Sequence, residues 1–396
     1  MPPSEVKESR RIGIIGDGQL GMMLCEAAPA LGLRTIMLAG SADGPAARCA
    51  DEVVCGAMDD GDALEQLIER CDVVTYERED LPPRATAALR AAQAQDRVQC
   101  FPPLDCIEML QDKIRQKRWY AEHELATLPF AIVDGSEASL RDAAANLGLP
   151  LVQKAPRGGF DGRGVQLLRS ADVFVSRAWP GETLVEQYAG EFREIAVLVV
   201  RARDGARDHF GPVDMSFEPD YSVLDTVSAP AAISEEVRSH AVDLAYRAIE
   251  AMRGVGVFGV EMFLLAGGEV LINEISPRVH NAGHYSLVAC ASTQFEQHLR
   301  AVAGLPLAST EQKAPAAMKN VLCTPPLEAK GVTEQAGHFE QPDGAVLCWY
   351  GKSPARAMRK LGHVAATGAT PKAALDRCET HWRALQQVSA ARGDEQ

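Results

Sequence analysis

The sequence predicts an α/β protein in which a parallel sheet comes first and antiparallel strands follow. Short apolar strands alternate with helical patterns through residues 11–95, as in chains that form βαβ units. Residues 258–276 instead hold two apolar runs on either side of Gly267-Gly268, the pattern of a β-hairpin. The length of 396 residues exceeds one ordinary core, so we expect two or three domains.

Composition narrows the class of protein. The hydrophobic fraction of 46% is that of a globular protein, and the formal net charge of -14 argues against nucleic acid as the main partner. No segment approaches the roughly 18 apolar residues of a membrane span. Residues 1–11 are polar and lack the apolar core of a signal peptide. We therefore expect a cytoplasmic protein that does not bind a membrane.

The first strand runs into a glycine-rich turn. Gly16, Gly18 and Gly21 fit the pattern GxGxxG, in which backbone amides and a helix terminus suit an anion. A dinucleotide-binding fold needs an acidic residue at the end of the next strand. Residues 34–38 run instead into Ala39-Gly40-Ser41. The pattern predicts a Rossmann-like unit without NAD.

Two further strand and helix units follow, over residues 51–70 and 72–95. Glu77 ends the strand of the second unit. Ligands of parallel sheets bind at the carboxyl ends of the strands, so Glu77 is a candidate site residue. Phe101-Pro102-Pro103 breaks the alternation and predicts the exit from this domain.

The hairpin around Gly267-Gly268 places two acids together. If these glycines form a two-residue loop, Ala266 pairs with Glu269, and counting outward brings Glu261 directly opposite Glu274. Directly opposed side chains lie on one face of a sheet, with Cβ atoms about 5 Å apart. Two carboxylates at that distance repel unless one is protonated or a cation lies between them.

A divalent cation between Glu261 and Glu274 removes this repulsion. Mg²⁺ binds a few carboxylate oxygens together with water and nucleotide phosphates, and Asn273 adds an oxygen ligand if it turns inward. Cationic and hydrogen-bonding residues follow directly and suit an anion; they are Arg278, His280, Asn281 and His284. The alternative is a solvated hairpin with two outward acids.

A glycine-rich loop over residues 155–166 is the second candidate for phosphate binding. It holds four glycines within seven residues, with Lys154 before it and Arg163 inside it. Such a loop can close over phosphates with its amides and cations. It lacks GxxxxGK[ST] and is no Walker P-loop. The alternative is a flexible hairpin with incidental charge.

Two clusters of charge receive opposite interpretations. For the helical region with Asp112, Lys113, Lys117 and Arg118 we expect most charges to be solvated. The tail concentrates four cations in nine residues of an acidic chain, which favours an anion site. These cations are Lys352, Arg356, Arg359 and Lys360.

Together the opposed carboxylates, the glycine-rich loop and the cationic tail resemble the ATP-grasp superfamily, and within it the N5-carboxyaminoimidazole ribonucleotide synthetase (PurK) family. The resemblance covers residues 11–367. Its most specific segments are residues 16–21, 158–164, 273–281 with Gly283-His284, 294–300 and 359–363.

The resemblance implies an ATP-grasp fold of three domains. These are a Rossmann-like preATP-grasp domain over residues 1–103, an ATP-grasp domain with antiparallel sheets over 104–304, which includes the flap 155–166, and a small β-rich domain over 305–396. It also implies a ligase in which ATP and bicarbonate form carboxyphosphate, which carboxylates aminoimidazole ribonucleotide in purine biosynthesis.

The resemblance further implies roles for individual residues. Those expected to bind ATP are Lys113, Lys154, Gly159, Glu186, Gln187, Tyr188, Glu194, Asn273 and Glu274. The Mg²⁺ ligands are Glu261 and Glu274. The catalytic residues are Arg278, His280, Asn281 and Lys352. Those expected to bind the ribonucleotide are Gln19, Leu20, Glu77, Phe160, Asp161, Arg163, Lys352, Arg359 and Lys360.

Two other functions stay open at this point. One is a related ATP-grasp ligase that activates another carboxylate as an acyl phosphate for a different amine, because residues 75–80 read Thr-Tyr-Glu-Arg-Glu-Asp where the family usually has Thr-Tyr-Glu-Phe-Glu-Asn. The other is a nucleotide-binding regulatory protein, which has no need of Arg278 beside the metal. Homodimers are common in the resembled family, and we expect one here.

Overall fold

The structure is a computed structural model that describes residues 9–158, 164–170, 177–219, 222–324, 336–352, 354 and 356–391, with side chains described as far as residue 386. Phe160, Asp161, Arg163 and Gly159 lie outside the described residues. No helix in the described part of the chain is long and apolar enough to cross a membrane.

The first sheet is parallel, as the alternating pattern predicts. Its five strands lie in the order β3-β2-β1-β4-β5. They are β1 (Arg11–Ile15), β2 (Arg34–Ala39), β3 (Glu52–Cys55), β4 (Val73–Tyr76) and β5 (Gln99–Cys100). The helices of this unit are Gln19–Ala27, Gly61–Arg70 and Pro83–Ala94, with a 3₁₀ turn at Pro29–Leu31. Because β1 and β4 are neighbours in this order, their carboxyl ends lie side by side. Gly16 follows β1 and Glu77 follows β4, so both residues lie at the same edge of the sheet.

A nine-stranded antiparallel sheet forms the centre of the molecule, in the order β14-β13-β10-β11-β12-β15-β18-β17-β16. Its strands are β10 (Phe192–Arg201), β11 (Arg207–Phe217), β12 (Leu224–Ala229), β13 (Gly256–Leu265), β14 (Val270–Ser276), β15 (Ala316–Leu322), β16 (Gly337–Glu340), β17 (Val346–Trp349) and β18 (Lys360–Thr367). Because β15 pairs with β12, the tail strands extend this sheet and do not form one of their own.

A four-stranded antiparallel sheet, in the order β6-β9-β7-β8, carries the base of the glycine-rich loop. Its strands are β6 (Phe130–Val133), β7 (Leu151–Lys154), β8 (Val165–Leu168) and β9 (Thr183–Gln187). The remaining helices are Leu104–Leu110, Lys113–Glu122, Glu137–Leu147, Glu235–Ala251, Ser286–Ala289, Gln294–Ala303 and Pro371–Ala391, and a 3₁₀ turn covers Asn281–Gly283.

The helix Gln294–Ala303 joins the parallel unit to the large sheet. Phe295 and Leu299 are buried in one apolar cluster with Met22 from the first helix and Leu198 from β10. A buried hydrogen bond adds to this contact. Val257 donates its backbone N–H to His298 Nδ1 at 3.0 Å, so Nε2 carries the proton and donates to Thr75 Oγ1 at 2.7 Å.

The hairpin of β13 and β14 departs from the predicted turn but keeps the predicted pairing. Leu265 N–H donates to Glu269 O at 2.9 Å, and the turn therefore has three residues, 266–268. The predicted two-residue loop with Ala266 opposite Glu269 is wrong. A bulge then inserts Asn273 between the pairs Met262–Ile272 and Glu261–Glu274. This extra residue compensates for the longer turn, and the predicted pairing of Glu261 with Glu274 is confirmed.

Buried histidines should make the fold sensitive to acid. Burial lowers the pKa of His298 and of His363 from 6.5 to about 3. Between about pH 3 and pH 6.5 these two histidines are therefore protonated in the unfolded chain and neutral in the folded chain. We expect the free energy of unfolding to fall as pH decreases from about 6.5 towards 3, as measured by urea denaturation at several pH values.

A matched pair of variants separates this effect from general acid denaturation. His298→Gln should make stability depend less steeply on pH, whereas His240→Gln, which changes an exposed histidine, should leave the slope unchanged. Equal slopes for the two variants and the unsubstituted protein would contradict the assignment.

Candidate active site

One large cleft, of about 2400 Å³, is lined by residues of the parallel unit, both antiparallel sheets and the tail. Most of the predicted site residues that the structure describes line it. They are Gln19, Leu20, Glu77, Lys113, Lys154, Glu186, Gln187, Tyr188, Glu194, Glu261, Asn273, Glu274, Arg278, His280, Asn281, Lys352, Arg359 and Lys360. Residues far apart in sequence thus meet in one space.

The glycine-rich turn after β1 binds an anion that belongs to the protein itself. Gly18 N–H donates to Glu77 Oε1 at 2.8 Å, and Gly21 N–H donates to Glu77 Oε2 at 3.0 Å. Gly16 has φ +109, and a Cβ there would lie 2.5 Å from Glu77 Cγ. The side chain of Glu77 therefore accepts hydrogen bonds from the backbone amides that bind a dinucleotide phosphate in other folds. The same bonds hold the turn that contains Gln19.

Three acids share the face of the sheet that forms the cleft floor. Glu261 lies opposite Glu274, and Ala196 lies opposite Glu261, which puts Glu194 two residues along on the same face. Burial, with the nearby charge of Glu261, raises the pKa of Glu194 to about 7. Three acids on one face give the cleft floor a strong preference for cations.

Cationic partners compensate the opposed pair. Lys113 Nζ lies 2.5 Å from Glu274 Oε2. His280 Nε2 lies 2.9 Å from Glu261 Oε1. Burial raises the pKa of Glu261, but the hydrogen bond and charge of His280 outweigh burial and leave that pKa below its usual value. Glu261 is therefore ionised, and Lys113 is the cationic partner of Glu274.

The donor set of Glu261 and Glu274 fits Mg²⁺. Two carboxylates that line the cleft suit a small hard cation that keeps water and phosphate oxygens as its other ligands. Asn273 also lines the cleft, where its Oδ1 accepts from Lys154 Nζ at 3.0 Å. The described residues contain no group of three or more His, Cys, Asp and Glu side chains able to hold a metal without such help.

A buried acid with two lysines lies beside this floor. Glu186 is 1% exposed, and its two oxygens lie 2.5 Å from Lys117 Nζ and 2.5 Å from Lys154 Nζ. Burial raises the pKa of Glu186, but the two ammonium groups outweigh burial and lower it to about 2. Lys154 also reaches Asn273, so this cluster connects the four-stranded sheet to β14.

The expectation that the charges at 112–118 are mostly solvated is wrong. The side chains of Lys113 and Lys117 are 13% and 3% exposed, and Asp112 caps the helix Lys113–Glu122 through the N–H groups of Ile114 and Arg115. Arg118, at 54% exposed, is solvated as expected. Lys113 and Lys117 lie four residues apart, on one face of this helix, and this spacing is the signal that identifies Lys117.

The segment after β14 is held by residues from two distant parts of the chain. Arg278 forms a bidentate ion pair with Glu79, in which NH2 donates to Oε1 at 3.1 Å. Asn281 Oδ1 accepts from Asn320 Nδ2 at 2.7 Å, and Asn320 is completely buried on β15. Sequence reasoning assigned no role to Glu79 or Asn320. Glu79 lies within residues 75–80, two positions after Glu77, and this proximity is the signal that could have identified it. Asn320 belongs to no cluster of functional residues in the chain.

The cationic tail reaches the same cleft from the opposite side. Lys352 Nζ lies 5.2 Å from the centre of the Tyr350 ring, and Arg359 donates to Pro354 O at 2.8 Å. Beneath them Tyr350 Oη lies 2.7 Å from His363 Nδ1. Buried neutral rings thus support half-buried cations, a suitable arrangement for binding a phosphate at the cleft edge.

Three family models match successive parts of the chain. They are a ribonucleotide synthetase preATP-grasp domain over residues 9–111, an ATP-grasp domain over 118–295 and a phosphoribosylaminoimidazole carboxylase C-terminal domain over 316–377. An N5-carboxyaminoimidazole ribonucleotide synthase from Brucella melitensis is 37% identical over 372 residues, 92% of this chain and 98% of that protein. The chain belongs to the N5-carboxyaminoimidazole ribonucleotide synthetase family.

Solved structures of this family agree with the fold. A carboxyaminoimidazole ribonucleotide synthase from Aspergillus clavatus, complexed with ATP, matches with a TM-score of 0.83 and 32% identity, over 97% of this chain and 99% of that chain. A second structure from that organism, with ADP and 5-aminoimidazole ribonucleotide, matches with a TM-score of 0.82 and 31% identity over the same shares. The predicted ATP-grasp fold and family are confirmed.

Removal of Lys117 tests the buried cluster. Lys117→Met leaves the buried Glu186 with a single cationic partner, and breaking such a buried pair costs about 3 kcal/mol. We expect this loss in the free energy of unfolding measured in urea. Arg118→Met, one residue away but exposed, should change it by less than about 1 kcal/mol. Equal losses for both variants would refute the role of burial.

Proposed function

We propose that the chain is an ATP-dependent ligase that carboxylates 5-aminoimidazole ribonucleotide to N5-carboxyaminoimidazole ribonucleotide in de novo purine biosynthesis. One observation carries this proposal. The opposed carboxylates, the Arg278 segment and the tail cations all line a single cleft, so a nucleotide, a small anion and a phosphorylated amine have separate places within reach of each other.

ATP occupies the part of the cleft between the four-stranded sheet and the floor. Glu186, Gln187, Tyr188 and Glu194 receive its adenine and ribose, and Lys113 and Lys154 its phosphates. These two lysines also form ion pairs with acids that line the cleft, Lys113 with Glu274 and Lys154 with Glu186.

Glu261 and Glu274 hold the Mg²⁺ that accompanies ATP. Bound there, the ion neutralises charge on the transferring phosphoryl group and on the departing ADP. His280 donates to Glu261 and so orients that carboxylate towards the ion.

Arg278, His280 and Asn281 bind bicarbonate at the end of the nucleotide. A bicarbonate oxygen attacks the γ-phosphorus, its new P–O bond replaces the bond to ADP, and carboxyphosphate forms. The ribonucleotide amine then attacks the carboxyl carbon, the C–O bond to phosphate breaks, and the departing phosphate takes the amine proton. A planar guanidinium matches a carboxyl edge, which makes Arg278 the central residue of this step.

The ribonucleotide lies between the parallel unit and the tail. Lys352, Arg359 and Lys360 receive its phosphate, and Gln19 and Leu20 line its pocket with Glu77. Phe160, Asp161 and Arg163 of the flap complete the pocket in this proposal. Closure of the flap 155–166 excludes water, because carboxyphosphate hydrolyses readily.

Measured phosphate release from Mg-ATP tests the reaction. We expect release to require bicarbonate and 5-aminoimidazole ribonucleotide together, with one carbamate formed for each phosphate. Arg278→Ala should lower turnover by about 100-fold or more, because it removes a donor to developing charge. Release that ignores the ribonucleotide but responds to another amine or acid would indicate the related ligase instead.

Two variants of the hairpin formed by β13 and β14 test the metal ligands. Glu261→Gln removes one anionic ligand, and we expect about a tenfold rise in the Mg²⁺ concentration needed for half-maximal binding of a non-hydrolysable ATP analogue, measured by calorimetry. Glu269→Gln changes an exposed acid next to the turn and should have no effect. No difference between the two variants would exclude Glu261 as a ligand.

Three expectations from the sequence stay predictions. They are the domain boundaries at residues 103/104 and 304/305, a cytoplasmic location and a homodimer. Light scattering on the purified full chain measures the last.

A further inference from the structure

We infer that Glu79 is the positioning residue of Arg278, which it fixes in the orientation that receives bicarbonate. This inference rests on the function proposed above. It concerns a residue of the parallel unit, 199 positions away from its partner, that takes no part in binding nucleotide, metal or ribonucleotide in our proposal.

The ion pair is specific in its geometry. Glu79 accepts from both Nε and NH2 of Arg278, and the side chains are 28% and 19% exposed. Such a fork of two parallel hydrogen bonds fixes the guanidinium plane, which a single contact does not. Burial raises the pKa of Glu79, but the charge of Arg278 outweighs burial and lowers it to about 2, so the pair is ionised at every physiological pH.

A count of donors shows what the pair leaves available. A guanidinium has five N–H groups. Two point to Glu79, and NH1 donates a third to Val279 O at 3.2 Å. The two that remain, one on each terminal nitrogen, have no protein acceptor among the described residues. One N–H on each terminal nitrogen is the set that an anion with two oxygens requires.

Competing acids explain why Arg278 needs a fixed partner. The carboxylates of Glu77 and Glu261 are also near enough for their charges to act on Arg278. Without Glu79, the guanidinium is free to turn towards either acid and to present a different edge to the cleft. An ion pair with Glu261 in particular competes with the metal site. Glu79 therefore keeps Arg278 in the bicarbonate site and prevents it from pairing with Glu261 in the metal site.

The support for Glu79 is itself rigid. Glu77 N–H donates to Ile15 O at 3.1 Å, Leu81 N–H donates to Glu79 O at 3.0 Å, and Gln111 Nε2 donates to Leu81 O at 3.2 Å. These bonds fix the segment after β4 to β1 and to the helix Leu104–Leu110. The position of the guanidinium thus depends on the packing of the parallel unit against the ATP-grasp sheets.

Steady-state kinetics of Glu79→Gln test the inference. Because the amide keeps the shape but loses the charge, we expect the KM for bicarbonate to rise about tenfold while the KM for ATP stays within twofold. Glu79→Asp, which keeps the charge, should recover part of the affinity for bicarbonate. Glu65→Gln, in an exposed ion pair with Arg97 on the same unit, is the control and should match the unsubstituted enzyme.

A double variant distinguishes a positioning role from a structural one. If Glu79 acts through Arg278, adding Glu79→Gln to Arg278→Ala should cause less than a twofold further loss. Equal changes in all kinetic constants, additive losses, or a lower KM for bicarbonate would overturn the inference. The last result would mean that Glu79 competes with bicarbonate. Failure of the unsubstituted enzyme to carboxylate the ribonucleotide would refute the proposed function itself, whatever the variants do.

Discussion

Repulsion between two carboxylates on one sheet face is the constraint on which the rest of the site depends. The pairing of β13 with β14 holds Glu261 and Glu274 opposite each other, and each carboxylate has its own partner, His280 for Glu261 and Lys113 for Glu274. An arrangement of this kind costs free energy unless cations stay close. The two carboxylates therefore lie opposite each other only because the surrounding lysines, arginines and histidines compensate their charge.

The same principle extends outward from the hairpin. Glu186 lies between Lys117 and Lys154, and Glu79 lies against Arg278. These acids thus fix cations at defined points, and Lys154 and Arg278 line the cleft, where an anionic ligand can bind. For a reaction between ATP and bicarbonate, two anions, this arrangement supplies charge compensation.

Much of the fold followed from local patterns. Alternating strands and helices predicted the parallel unit, and the apolar runs around Gly267-Gly268 predicted the hairpin. The pairing of Glu261 with Glu274 was predicted from a turn one residue too short, and it held because the bulge at Asn273 restored the register. Turn length and bulge position depend on packing around the hairpin, which a count along the sequence does not include.

The partners of the site residues were harder to predict. Glu77 was expected in the ribonucleotide pocket, but its bonds to Gly18 and Gly21 depend on the adjacency of β1 and β4. Glu79 meets Arg278 only because the parallel unit packs on the large sheet. Lys117 differs from these, since its position one turn after Lys113 is visible in the sequence. Predicting a contact between residues of different domains requires the tertiary structure. Predicting which residues share one face of a helix requires only their spacing in the sequence.

Oxygen transfer from labelled bicarbonate is the most direct test of the account. The enzyme is incubated with ATP, 5-aminoimidazole ribonucleotide and bicarbonate enriched in oxygen-18, and the released phosphate is analysed by mass spectrometry. If the cleft joins bicarbonate to the γ-phosphorus, each phosphate carries one oxygen from bicarbonate. Phosphate whose new oxygen comes from water or from another acid would contradict the central claim that this cleft makes carboxyphosphate.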